Sequence, residues 1–141
     1  MSESRSEDKS LYGALPFCWL GWRVEGEESE RIQASADFVF PADYVGFAGH
    51  FPEMPILPAI VQLAAVRWLA ECAVGKKLAP LRYEKTKFKG MIGPDERVTV
   101  SIALAASPAG LPGTFKLTRA DGVTAAAGSF VYIVESHLEG T

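Results

Sequence analysis

Residues 49–63, GHFPEMPILPAIVQL, place one histidine on a proline-rich segment that runs directly into an apolar stretch. Gly49 permits unusual backbone angles beside His50, and the three prolines that follow restrict the chain, so the imidazole is held beside a helix start. A helix start offers unpaired N–H groups to a carbonyl oxygen that gains negative charge. Because histidine exchanges a proton near neutral pH, the pattern predicts a site that deprotonates the carbon next to a polarised carbonyl. The alternative is a polar histidine that caps a turn.

The other reactive side chains indicate no second site. His137 lies in the polar C-terminal segment, and we expect it to be solvated. Cys18 and Cys72 are far apart and lack any spacing that suggests a metal, so we interpret them as reduced, buried thiols. We expect neither a metal nor a cofactor.

One helix and several strands must position this segment. Residues 59–74 contain no Gly or Pro and only three polar residues, which predicts a buried helix with Pro58 in its first turn and Gly75 at its end. Apolar residues at every second position of 31–40 predict a half-buried strand. Further strands are predicted at 17–24, 81–90, 97–105, 114–120 and 123–134, with turns at 93–96 and 121–122 and a loop at 107–113. The predicted class is α+β, an antiparallel sheet curled about one long helix, with the later strands joined by hairpins.

Length and composition fit one small globular domain. The chain has 141 residues, of which 48% are hydrophobic and 22% charged, enough to bury a core. We expect a domain over 11–135, with polar tails at 1–10 and 136–141. The net charge of −3 argues against a nucleic-acid partner. No apolar run reaches the ~20 residues of a membrane span, and the first ten residues do not form a signal peptide, so we expect a cytoplasmic protein.

Residues 38–63, FVFPADYVGFAGHFPEMPILPAIVQL, resemble the signature of the hotdog-fold 3-hydroxyacyl-acyl carrier protein dehydratases, and within them the dehydratases of aryl polyene clusters. A weaker resemblance extends over 11–134. Membership of this family would imply a sheet wrapped around a central helix, a dimer with two active sites at its interface, and elimination of water from a 3-hydroxyacyl thioester in fatty acid or polyene synthesis. His50 would remove the α-proton, and an acid on the other subunit's central helix would assist departure of the hydroxyl.

Two departures from the family pattern fall on the chemistry. The helical acid is expected fourteen residues after the histidine, where this chain has Ala64, and the glycine after the last proline is Ala59. Glu71 is two helical turns beyond position 64, ~10 Å along the axis, and is too far to replace the acid. Glu53, on the loop, is a possible substitute acid or a solvated side chain. Gln62 is either a residue that orients the substrate or a structural amide.

Several binding roles stay open at this point. Phe47 and Phe51 are candidates to line an acyl tunnel, although core packing explains most aromatic residues. Lysines after the helix are candidates to meet an acidic acyl carrier protein, or are simply solvated. Three functions compete: an active thioester dehydratase, an acyl-thioester-binding subunit that pairs with a sister subunit supplying the acid, and a thioesterase. The predicted partners are the acyl thioester, on acyl carrier protein or coenzyme A, and a second hotdog subunit in a homodimer or heterodimer.

Overall fold

A computed structural model describes residues 19–28, 31–41, 57–105, 107 and 110–135. This part of the chain forms one helix and a six-stranded antiparallel sheet of order β1-β2-β4-β5-β6-β3. The elements are β1 (Trp19–Glu28), β2 (Arg31–Val39), α1 (Ala59–Val74), β3 (Leu78–Phe88), β4 (Arg97–Ala105), β5 (Leu111–Arg119) and β6 (Thr124–Val134). One long helix against an antiparallel sheet is the predicted α+β hotdog architecture. The predicted tails at 1–10 and 136–141 lie outside the described residues.

Helix α1 begins and ends where the sequence predicts. Pro58 is its N-cap, with extended backbone angles of φ −67° and ψ 154°. Gly75 ends it in the left-handed conformation, φ 75°, and donates its N–H to the carbonyl of Glu71 over 2.8 Å. A residue with a side chain is strained at that φ, which is why glycine suits the position.

The core lies between α1 and the concave face of the sheet. Strands β2 and β4 pair without a register shift, so their inward-facing residues form adjacent rows, including Phe38 opposite Val98. Phe38 stacks on Phe40 at 5.6 Å between ring centroids and meets Trp68 of the helix edge-on at 5.8 Å. These two phenylalanines are therefore packed core residues, which agrees with the expectation that core packing explains most of the aromatic residues.

The helix is buried on one side only, which corrects the prediction of a helix buried all round. Its fully buried residues are Val61, Gln62, Ala65, Val66, Leu69 and Ala70. Ile60 is 66% exposed, and Leu63, Ala64 and Trp68 are half-buried. Leu63, Ala64 and Trp68 still pack against the core, so among the large apolar residues of the helix it is Ile60 that faces away from the sheet. No helix among the described residues is long and apolar enough to span a membrane.

Two details of the strand prediction are wrong. The turn at 93–96 does not join a β3–β4 hairpin, because β3 pairs with β6 at the opposite edge from β1, while β4 lies between β2 and β5. Strand β4 buries Val98, Val100, Ile102 and Leu104 and suits the sheet interior, whereas the charged β3 suits an edge. The predicted loop at 107–113 is also too long, since β5 already begins at Leu111.

A charged network covers the outer face near β1. Both Asp37 oxygens are used: Oδ1 accepts a hydrogen bond from Thr99 Oγ1 at 2.7 Å, and Oδ2 accepts one from Arg97 at 2.8 Å and a longer one from Arg23 at 3.4 Å. Burial acts to raise the pKa of Asp37, but these hydrogen bonds and the two arginine charges outweigh it and leave the pKa below its usual value. The carboxylate thus joins β1, β2 and β4.

We expect Asp37→Asn to lower the free energy of unfolding by about 1–2 kcal/mol at neutral pH, because it removes the charge that these donors bind. A depressed folded-state pKa contributes stability above the unfolded-state pKa, and that contribution is lost as the pH falls through the folded-state value. The difference between wild type and variant in urea unfolding should therefore narrow towards about pH 3. Asp95→Asn, at an exposed turn, is the control. An equal difference at both pH values would contradict this account.

Candidate functional site

The start of α1 offers unoccupied backbone donors at the surface. Pro58 supplies its carbonyl to the N–H groups of Val61 and Gln62, at 3.1 and 3.2 Å. The N–H groups of Ala59 and Ile60 precede these and have no acceptor within the helix. No side chain among the described residues caps them, the first turn has no acid, and both residues are exposed. This end of the helix can therefore donate to an external carbonyl oxygen, which is the chemistry predicted for the helix start.

Gln62 is buried beneath the first turn and is only 3% exposed. Its Nε2 donates to the carbonyl of Leu57 at 3.1 Å, and the Leu57 N–H donates to the carbonyl of Ile92 at 2.8 Å. The amide thus helps to fix the residue that precedes the helix, as a structural amide would. Its Oε1 is buried and has no hydrogen-bond partner in the part of the chain that the structure describes, which leaves an acceptor for an N–H or O–H group.

Ala64 lies in the second turn of α1. It is half-buried, packs against the buried core and shares a helical stripe with Ile60, Arg67 and Glu71. A methyl group therefore occupies the position where the family pattern has a carboxylate. Glu71 does not replace it, since its Oε2 accepts the N–H of Leu78 at 2.9 Å and fixes the start of β3.

The thiol of Cys72, near the end of α1, stays protonated at physiological pH. Burial, with a contribution from the negative charge of Glu71, raises the pKa of the Cys72 thiol to about 11. Cys72 is half-buried, less than the sequence predicts. It is therefore a poor nucleophile at this site.

The Tyr83 hydroxyl is a polar group of this region that sequence reasoning missed. It lies on β3, 3.0 Å from the hydroxyl of the fully buried Tyr132, and the two rings meet edge-on at 5.8 Å. Burial raises the pKa of Tyr83, although the Tyr132 hydrogen bond and the charge of Arg67 act in the opposite direction. The phenol can donate a hydrogen bond beside the helix, and it cannot act as a base at neutral pH.

The structure describes some of the predicted site residues and not others. Ala59, Gln62 and Ala64 all lie on the first two turns of α1, but on different sides of it: Ala59 is exposed, Gln62 is buried and Ala64 is half-buried. His50, Phe47, Phe51 and Glu53 lie outside the described residues, so their roles remain predictions. In the part of the chain that the structure describes, no three His, Cys, Asp or Glu side chains are grouped to hold a metal ion.

Comparison with known proteins agrees with this architecture. The chain is 27% identical over 124 residues to the 3-hydroxyacyl-[acyl-carrier-protein] dehydratase FabZ of Ruminiclostridium cellulolyticum, which covers 83% of this chain and 86% of the relative. An uncharacterised protein from Erwinia carotovora subsp. atroseptica superposes with a TM-score of 0.68 at 24% identity, covering 83% of this chain and 95% of that one.

The dehydratase heterocomplex ApeI:P of Xenorhabdus doucetiae superposes with a TM-score of 0.61 at 20% identity, covering 81% of this chain and 95% of that one. These structural likenesses show the shared hotdog fold. Residues 25–129 match the family described as ApeI-like, ApeI dehydratase, and this range includes β2 to β5, all of α1 and the proline-rich segment. The chain therefore belongs to the ApeI-like dehydratase family.

Proposed function

We propose that this protein is a 3-hydroxyacyl thioester dehydratase subunit that supplies the base of the reaction and lacks its own helical acid. Membership of the ApeI-like family supports the reaction class. The single observation that carries the second half of the proposal is Ala64, a half-buried alanine at the position where the family resemblance leads us to expect the acid.

In this reaction His50 removes a proton from the α-carbon of the thioester. The electron pair moves towards the carbonyl, whose oxygen gains negative charge and accepts hydrogen bonds from the exposed N–H groups at the start of α1, including that of Ala59. The C–O bond to the β-hydroxyl then breaks, and an acid protonates the departing oxygen to give water and an α,β-unsaturated thioester. His50 finally loses the proton to solvent, and the acid regains its own.

Binding roles follow from the surroundings of the helix start. The unpartnered Oε1 of Gln62 supports an orienting role, because a hydroxyl or amide N–H that reached it would satisfy a buried acceptor. Phe47 and Phe51, which flank His50 in sequence, are proposed to line the acyl chain. If the acid that protonates the leaving hydroxyl comes from this chain and not from a partner, Glu53 is the proposed acid.

Ala64 also favours a second candidate function, that of an acyl-thioester-binding subunit. A subunit without an acid is inactive alone and binds the acyl thioester, while a paired hotdog subunit supplies the carboxylate from its own helix. The uncovered side of α1, with Ile60 66% exposed, supports such pairing. The thioesterase alternative is weaker, because residues 56–70 contain no carboxylate to activate water near the helix start.

Chemical rescue separates the two candidates. Hydration of crotonyl thioesters, on coenzyme A and on acyl carrier protein, is followed by loss of the enoyl absorbance with and without added formate. We expect slow turnover by the wild type that rises with formate, because the small acid fits where Ala64 lacks a carboxylate. Ala64→Asn, which fills that space with a neutral side chain, is the control and should show no rescue. Thioester binding without turnover at any formate concentration would support the binding subunit and contradict independent catalysis.

A further inference from the structure

The start of α1 rests on the connecting segment 89–96, which leads from β3 to β4. Leu57, the residue before the N-cap, donates its N–H to the carbonyl of Ile92 at 2.8 Å. Its own carbonyl accepts a hydrogen bond from Gln62 Nε2 at 3.1 Å. Leu57 and Ile92 are both fully buried. The orientation of the Ile92 carbonyl therefore helps to set where the chain enters the helix and where the exposed N–H groups of the first turn point.

Arg119, the last residue of β5, holds the neighbours of Ile92 on both sides. Its Nη1 donates to the carbonyl of Met91 at 3.3 Å. On the other side, the N–H of Gly93 donates to Oε1 of Glu96 at 3.1 Å. Oε2 of the same carboxylate lies 3.0 Å from Arg119 Nε in an ion pair. One guanidinium thus constrains the chain before Ile92 directly and the chain after it through Glu96.

The contact through Glu96 acts on the carbonyl that holds Leu57. The Gly93 N–H and the Ile92 carbonyl belong to one peptide group, which is planar. Fixing the N–H on Glu96 therefore fixes the direction of the carbonyl on the opposite side. The links from Arg119 through Glu96 and this peptide group to Leu57 are each 2.8 to 3.1 Å long.

The guanidinium is itself anchored at the β5–β6 turn. Its Nη2 donates to Oδ2 of Asp121 at 3.0 Å, and the backbone N–H of Arg119 donates to the carbonyl of Val123 at 2.9 Å. Nε is buried, and its N–H is not aligned with an acceptor among the described residues, so its contact with Glu96 is electrostatic. The planar fork of arginine reaches three partners at once, which the single ammonium of lysine cannot do.

We propose that Arg119 is a positioning residue, which fixes segment 89–96 and thereby aims the N–H groups at the start of α1. This inference rests on the proposed function, in which those N–H groups bind the thioester carbonyl as its oxygen gains negative charge. Because such donors act chiefly on the transition state, their misplacement lowers kcat more than it raises KM. A displacement of about 1 Å can cost about 10²-fold in rate.

Arg119→Lys tests the inference by two measurements. The first is hydrogen exchange of the Leu57 amide, followed by NMR on isotope-labelled protein. We expect exchange about 10-fold faster than in wild type, because the bond to Ile92 opens more often, while the amide of Leu69 in the middle of α1 keeps its rate. The second is hydration of a crotonyl thioester in the Ala64→Asp background, where kcat should fall about 10- to 100-fold with KM within about 2-fold.

Two control variants separate positioning from a general loss of stability. Arg82→Lys replaces another arginine that is paired with an acid, Glu84 at 2.8 Å, outside segment 89–96, and should change neither measurement. Gly75→Ala strains the left-handed end of α1, where the added methyl group meets no other atom within 4 Å. It should destabilise the protein and leave kcat unchanged.

Glu96→Gln is the second test variant and decides the matter if Arg119→Lys does not fold. Glutamine keeps an oxygen for the Gly93 N–H but loses the charge that faces Arg119, so the same changes should appear at a smaller size, about 3-fold.

Wild-type exchange at Leu57 in both test variants would overturn the inference. So would an equal rise at Leu57 and Leu69, which indicates general loosening, or an unchanged kcat in a variant whose Leu57 amide exchanges faster. Absence of turnover even with Arg119 intact would instead count against the proposed function, and the exchange rates would still decide whether Arg119 holds the helix start.

Discussion

Ala64→Asp is expected to raise the rate of thioester dehydration by about 10²- to 10⁴-fold, the usual effect of a positioned proton donor. Ala64 packs against the core but is only half-buried, so a carboxylate there keeps access to solvent. The measurement is the hydration of a crotonyl thioester, read from the enoyl absorbance, at the same protein concentration for every variant.

Ala64→Asn is the matched control, because asparagine has the size of aspartate and no acidic proton. It should leave the rate close to that of wild type. Thermal unfolding of all three proteins shows whether either side chain disturbs the helix. Wild-type turnover as fast as that of Ala64→Asp would mean that another acid, such as Glu53, already protonates the leaving group.

His50→Ala is expected to lower turnover by about 10²- to 10⁴-fold, down to the background rate, because it removes the only predicted general base. The fold should be largely retained, since a loop imidazole beside a binding site contributes more to function than to packing. Turnover and the midpoint of thermal unfolding are measured on the same preparation.

His137→Ala tests whether the effect belongs to His50 alone. This second histidine lies in the polar C-terminal segment, so its replacement should leave both rate and stability unchanged. Full activity in His50→Ala would contradict the dehydratase proposal. If His50→Ala loses activity because it unfolds, His50→Gln is measured instead, since it keeps a polar side chain of similar length but cannot act as the base.

Local signals in the sequence predicted the elements well. Helix α1 spans 59–74 as predicted because Pro58 and Gly75 set its two ends through backbone geometry that each residue dictates by itself. Alternation predicts strands β2 and β4. In β4 it reflects burial of one face against the helix, whereas β2 buries all five residues from Ala34 to Phe38 and is more than the half-buried strand predicted. The turn at 121–122 follows from Asp-Gly chemistry in the same way.

Sheet order was not predictable from such signals. The turn at 93–96 resembles a hairpin connection, yet it leads the chain from one edge of the sheet to its interior, where β4 gains two neighbours. Which strand takes an interior position depends on how all the strands bury their apolar residues together. The charged side chains of β3 indicate an edge strand, but they are equally typical of a solvated or docking surface, so they do not predict the sheet order.

The candidate site was predictable only where local sequence carries the chemistry. The exposed donors at the start of α1 follow from Pro58, but the buried amide of Gln62 depends on packing beneath the helix. Tyr83 was missed because β3 shifts register between Glu84 and Lys87, so alternation along the strand does not reveal which residues face the helix. Its pairing with Tyr132 joins residues 49 positions apart.

The central claim is that His50 and an acid at position 64 serve one reaction, and a four-protein rate comparison tests it most directly. Crotonyl thioester hydration is measured for wild type, Ala64→Asp, His50→Ala and the double variant. The account predicts that the gain from Ala64→Asp, about 10²-fold or more, is present with His50 and absent without it. An equal gain in both backgrounds, or no gain in either, would contradict the account.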